Sequence, residues 1–132
     1  MIPVLVYPDV RAAAEWITRA FGFRERLRIG EGHRSQLSYG DGAVILADTS
    51  YGREAPSTTD HTHSVIVRVD DALGHCSVAR AAGAAILAEP ADLQFGERQY
   101  QARDPWGHLW TFSESIADTA PEDWGGTPVD LD

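Results

Sequence analysis

Apolar residues recur along the chain in two rhythms. Ile2 to Tyr7 is a short, β-branched apolar run of strand type, and from Val10 the spacing changes. Val10, Ala13, Ala14, Ile17 and Phe21 fall at i, i+3, i+4, i+7 and i+11, one stripe of a helix. Pro8-Asp9 supplies the entry and cap and Gly22 the stop, so the spacing predicts a helix over about Asp9 to Phe21. Strand-type runs then follow at Phe23–Ile29, Arg34–Tyr39 and Ala43–Ala47, punctuated by Gly30-Glu31-Gly32 and Gly40-Asp41-Gly42.

The same order begins again in the second half. Ser64 to Val69 reads as a strand, Asp70-Asp71 caps a helix striped by Ala72, Cys76, Ala79 and Ala82, and Gly83 ends it. Ala85–Ala88, Arg98–Arg103 and His108–Ser113 complete the set as strands. Val4-Leu5-Val6 aligns on Ile66-Val67-Arg68 with an offset of 62, and Gly42 on Gly107 with an offset of 65. Residues 1–48 and 63–113 are therefore two βαβββ modules, 49–62 an aperiodic linker, and 114–132 an acidic tail, all within one structural domain. Each half is too short to bury a core of its own, which predicts an α+β fold. In it, the paired modules form one curved mixed sheet with helices on the convex face.

Composition narrows the chemistry. Apolar residues make up 43% and charged residues 23%, the balance of a folded globular domain. Twenty acids against eleven basic residues argue against nucleic acid and anionic membrane surfaces as partners. The tail holds Glu114, Asp118, Glu122, Asp123, Asp130 and Asp132 without a base. All eleven cations are arginine, which removes lysine Schiff-base chemistry. Cys76 is alone, so intramolecular disulfides and CxxC motifs are excluded, and the thiol reads as packing. The opening apolar run is too short for a signal segment, and the expected location is cytoplasmic.

Four stretches carry a family likeness. Tyr7-Pro8-Asp9-Val10 through Ala20-Phe21-Gly22-Phe23, and Tyr39-Gly40-Asp41-Gly42, mark the first module. Val69-Asp70-Asp71 through Ala82-Gly83-Ala84, and Asp104-Pro105-Trp106-Gly107-His108-Leu109-Trp110, mark the second. With the internal repeat, they make the chain resemble the vicinal oxygen chelate superfamily of glyoxalases, extradiol dioxygenases, and fosfomycin- and bleomycin-resistance proteins. The small bacterial bleomycin-resistance-like subgroup is nearest.

That resemblance implies where a metal would sit, on the first and last strand of each module. Counting back seven from Asp9 and Asp71 lands on Ile2 and Ser64, and counting seven on from Asp104 lands on Thr111, whose partner at offset 65 is Leu46. A divalent ion open to substrate needs about three His, Glu or Asp donors, and none of the four positions supplies one. His63 beside Ser64 would serve only after a one-residue slip that turns Val65, Val67 and Val69 out of the core. His33, His61 and His63 read as surface histidines, His75 as helix packing and His108 as a local hydrogen-bonding residue. No G-x-S-x-G elbow is present. No catalytic residue, metal or cofactor is expected.

The concave face is where a ligand would lie. Alternation places Ser64, Ile66 and Arg68 there beside Ile2, Val4 and Val6, with Val44, Leu46, Asp48, Leu109, Thr111 and Ser113 across. Arg68 either pairs with an internal acid or orients a ligand. The parity of Arg98–Arg103 is open, and the reading adopted puts Arg98 and Tyr100 in the cup. Phe95, Trp106 at a turn tip, and Trp124 in the tail are aromatic surfaces in want of cover. The candidate ligand-binding residues are thus Leu46, Asp48, Ser64, Ile66, Arg68, Phe95, Arg98, Tyr100, Trp106 and Thr111. The reading is a metal-free homodimer that sequesters an aromatic or amphipathic natural product, an antibiotic among the candidates. Its rival is a glyoxalase-like, metal-dependent isomerase or lyase that recruits Asp48 and His63.

Overall fold

The first module begins with β1 (Val4–Val6), and its Cαs run parallel to β4 (Gly42–Ala47), the last strand of the same module. Between them come α1 (Val10–Phe21), β2 (Arg24–Ile29) and β3 (Arg34–Tyr39), giving a sheet ordered β1-β4-β3-β2. The second module repeats this as β5 (Val65–Arg68), α2 (Ala72–Ala81), β6 (Ala85–Leu93), β7 (Glu97–Arg103) and β8 (Leu109–Ser115), ordered β5-β8-β7-β6. This computed structural model describes residues 1–56 and 62–129. Backbone hydrogen bonding divides the expected curved sheet into two four-stranded halves, one per module.

The helices form where local chemistry dictates. Asp9 caps α1 by accepting from the Ala12 N–H, and Gly22, at φ 80°, closes it in the left-handed conformation that glycine adopts most readily. Asp71 caps α2 in the same way through the Gly74 N–H. Both helices turn their apolar stripes onto one core that joins the modules, with Ile17 and Phe21 of α1, Ala72 and Ala79 of α2, and Leu5, Leu37, Leu46, Tyr100 and Phe112 from the strands. Phe21 sits 4.7 Å from Phe112 and 5.3 Å from Trp110, ring centre to ring centre, so the modules share one interior.

Two elements differ from the sequence reading. β6 continues through Pro90 to Leu93 rather than ending at Ala88; it is an edge strand, where a missing N–H costs no ladder bond, and its register shifts between Ala88 and Ala91. The tail also carries structure. Ile116 and Ala117 donate to Gly96 O, and a 3-10 turn over Pro121–Trp124 brings Trp124 edge-on to Phe95 at 5.6 Å.

Candidate functional site

β5 shows how the sequence builds the site. In Val65-Ile66-Val67-Arg68, the valines turn toward the core while Ile66, 67% exposed, and Arg68 turn outward. Only one edge of β5 is paired, to β8. Along its other side lies a cavity of about 540 Å3. Its apolar wall includes Phe23, Tyr39, Val44 and Ile66, and its polar points are Asp41, Arg68 and Asp70. Arg68 donates to Glu97 at 2.6 Å, Ser113 donates to the same carboxylate oxygen at 2.7 Å, and Gln99 donates to Ser113 at 3.1 Å. The guanidinium is thereby anchored at the cavity's rim with its charge matched.

The structure brings four of the ten sequence-derived candidates together. Ile66, Arg68 and Thr111 share the outward face of β5 and β8, since Ile66 is the register partner of Thr111 and Arg68 of Ser113, and Ser64 stands exposed one residue before β5. Of these, Ile66 and Arg68 line the cavity. Leu46 does not join them, because it is fully buried in the core. The reason is an offset. Register pairs Leu5 with Leu46 and Val67 with Phe112, so the last strands align at 66 rather than 65, and the outward counterpart of Thr111 is Ile45. The β7 parity is likewise corrected. Gln99 and Gln101 are the register partners of Ser113 and Thr111, so they face outward, whereas Tyr100 is buried and receives the opposite face. Arg98, on the Tyr100 side, is held by Asp92 through two hydrogen bonds of 2.6 and 3.2 Å.

The remaining three stand apart. Asp48, at the end of β4, is engaged by His33 at 3.1 Å, Arg53 at 3.4 Å and the Ser50 N–H at 3.1 Å. Hydrogen bonds from Ser50 and His33 hold its carboxyl well below the usual carboxylate range. Phe95 serves the tail through Trp124. Trp106 is no free platform: it packs edge-on against Tyr7 at 5.6 Å and Trp16 at 6.1 Å, plugging a groove between the modules. Sequence reasoning missed Phe23, Tyr39, Asp41 and Asp70 as cavity residues. The signal was present in the short Tyr39-Gly40-Asp41-Gly42 turn, which has no bulky side chain where its repeat carries Trp106.

The titratable groups are committed to the fold. His75 Nε2–H donates to Phe21 O at 2.8 Å; a carbonyl can only accept, so Nδ1 is the bare nitrogen and accepts a hydrogen bond from the Tyr100 hydroxyl at 2.5 Å. Burial pushes His75 down, against the pull of that carbonyl. His108 Nε2–H caps Val6 O at 2.7 Å, and burial lowers it too. Among the described residues no three His, Cys, Asp or Glu side chains converge as a metal set, and Ile2, Ser64, Thr111, Leu46 and Ile45 add no strong donor. The site does not fit the divalent ion that this fold family uses in its metalloenzymes. His63 lies 6.3 Å from His108, ring to ring, and His61 falls outside the described residues.

A sequence model of the Glyoxalase/Bleomycin resistance protein/Dioxygenase superfamily matches residues 3–112. The chain belongs to that superfamily. Within the superfamily's fold, it is similar to TioX from Micromonospora sp. ML1, at 37% identity over 88% of this chain and 98% of that one, with a TM-score of 0.73. A glyoxalase/bleomycin resistance protein/dioxygenase family enzyme from Burkholderia phytofirmans PsJN shares 17% identity over 87% and 97%, at a TM-score of 0.72. UcmS2 shares 19% over 85% and 94%, at 0.66. The last two show likeness of fold alone. Among curated proteins none matches the sequence. No helix among the described residues is long and apolar enough to cross a membrane.

Proposed function

We propose that this superfamily member is a binding protein that sequesters an aromatic or amphipathic small molecule beside β5 without a metal. The observation that carries the reading is the cavity of about 540 Å3. Its size falls within the ~300–1,000 Å3 of small-molecule sites, and it has their make-up of apolar wall and few polar points. Its lining offers no nucleophile paired with a base, and the donors an enzyme would recruit, Asp48 and His63, have other neighbours. Ile66 and the Phe23–Tyr39 ring pair, 5.3 Å apart, supply apolar contact, and Arg68 orients a polar end.

We infer further that the protein works as a homodimer. Val4, Leu27, Ile29 and Ile66 stand open on the sheet faces away from the core, apolar area that a second copy would cover. Light scattering at micromolar concentration should give twice the chain mass, and Leu27→Asp with Ile29→Asp should shift it toward one.

Titration with an anilinonaphthalenesulfonate dye tests the site. Saturable binding is expected, weakened by about tenfold or more in Ile66→Asp through loss of buried apolar contact. Binding that Ile66→Asp leaves unchanged, or native mass spectrometry showing one tightly held transition metal per chain, would overturn the reading.

A further inference from the structure

The two modules repeat one another, yet the grooves flanking the helix pair are not alike. On one side Trp16 crosses from α1 to α2 and donates its indole N–H to Ala82 O at 2.8 Å. Trp106 packs edge-on against Trp16, and Tyr7 packs edge-on against Trp106. Three rings close that groove. Under the module offset of 62, Trp16 corresponds to Val78, Tyr7 to Val69 and Ala82 to Ala20, while the turn bearing Trp106 corresponds to Gly40-Asp41. Each of those three rings has a non-aromatic counterpart in the second groove, where His75 of α2 instead reaches the end of α1 and donates to Phe21 O, although helices and strands keep the same frame.

The consequence is measurable. A cavity of about 340 Å3 remains on the second side, bounded by Ala20, Phe21 and Gly22 at the end of α1, by Val69 and Val78, and by Tyr39. Asp70 and His75 also border it. Val78 is 55% exposed, whereas its counterpart Trp16 is 7% exposed. This cavity adjoins the larger one only at Tyr39 and Asp70.

We propose that this second cavity binds a planar aromatic N–H donor of indole size, seated where the protein's own Trp16 sits in the related groove. Shape is the first argument: the frame that closes around an indole on one side is repeated without one on the other. Hydrogen bonding is the second. The last carbonyls of a helix lack internal partners and form its negative end, and Ala82 O at the end of α2 already accepts an indole N–H. Gly22, the C-cap of α1 as Ala82 is of α2, lines the open cavity and is exposed, so an N–H donor meets the same kind of acceptor there. Asp70 and Asp71 against Arg19 leave a net negative charge on the cavity's lining, which favours an indole bearing an amine over one bearing a carboxylate. The inference stands apart from the larger cavity's ligand and holds whether or not that site binds anything.

Tryptamine, titrated into the full chain and followed by backbone amide chemical shifts, decides it. Saturable shifts are expected at Gly22, His75 and Val78. Val78→Trp supplies the missing indole and should weaken tryptamine binding by about tenfold or more, while dye binding at the larger cavity stays unchanged. Val78 is a surface position, and a cooperative melt of the variant confirms that it folds. Trp16→Val, read independently, should raise the tryptamine stoichiometry from one to two. Shifts that do not saturate, shifts confined to the lining of the larger cavity, or equal affinity in Val78→Trp would each overturn the proposal.

Discussion

Asp104 accepts four hydrogen bonds through its carboxylate: the Tyr7 hydroxyl at 2.6 Å, the Trp110 indole N–H at 3.1 Å, and the Trp106 and His108 backbone N–H groups at 3.0 Å each. Removing the acceptor strands Tyr7 and Trp110, both buried, without partners. Because each orphaned buried donor costs ~1–3 kcal/mol, Asp104→Ala should destabilise the protein by about 3 kcal/mol or more, read as a fall in denaturant midpoint at unchanged slope. An unaltered midpoint would show that water replaces the carboxylate. Trp106 belongs to the same cluster. Its sequence context, at a turn tip, suggests a ligand platform, but the ring is lodged between Tyr7 and Trp16. Trp106→Ala should therefore cost about 2–4 kcal/mol of stability, below the range for a fully buried ring at the top end, and leave dye affinity unchanged. A drop in affinity with stability intact would return Trp106 to the site.

At the scale of elements, His75 ties α2 to the end of α1 and to β7 at once. Its folded state favours the neutral ring, so the unfolded chain binds more protons below the ordinary histidine range near ~6.5, and stability rises with pH across that window. The contribution is present above about 6.5 and is lost as pH falls toward the lowered folded value. His108 acts in the same direction. Melting temperature should thus fall between about pH 7 and pH 5, and fall less in His75→Asn. The tail is the other element that acts beyond its sequence pattern. An added Cβ at Gly96, whose φ is 82°, would collide with Ala117 O, so the β6–β7 turn and the tail fit only through glycine. Truncation after Ser115 removes the Phe95–Trp124 contact, and a cooperative melt at a temperature a few degrees lower is expected. An unchanged melting temperature would mean that the strap contributes nothing in solution.

For the whole molecule, the architecture was legible because the hydrophobic periods are clean and occur twice. Both capping aspartates, the Gly22 stop and the βαβββ order lie where the pattern puts them. The site was legible only along β5, where strict alternation in Val65-Ile66-Val67-Arg68 fixes which side chains turn outward. On β4 a single-residue difference in turn length moved the offset from 65 to 66 and exchanged Leu46 for Ile45. On β7 polar residues alternate with polar residues, Arg98, Gln99 and Gln101 around one Tyr, so no hydrophobic face declares itself. Trp106 was misread for a related reason: local sequence reports the turn that carries a ring, while the groove that receives it is built about ninety residues away.

That separation also sets an order of events for the chain as it is made. The Tyr7–Asp104 bond spans 97 residues and the His108–Val6 bond spans 102. On a ribosome the first module can close its own strand pair, Val4 to Ile45, long before those partners exist. Until synthesis reaches residue 108, the inner face of that module has no lid, and Tyr7 waits in water beside an uncapped Val6 carbonyl. Sealing of the Trp106 groove has to come after the first module's strands can pair, and the change in indole environment that accompanies it gives translation arrest and refolding experiments a built-in clock.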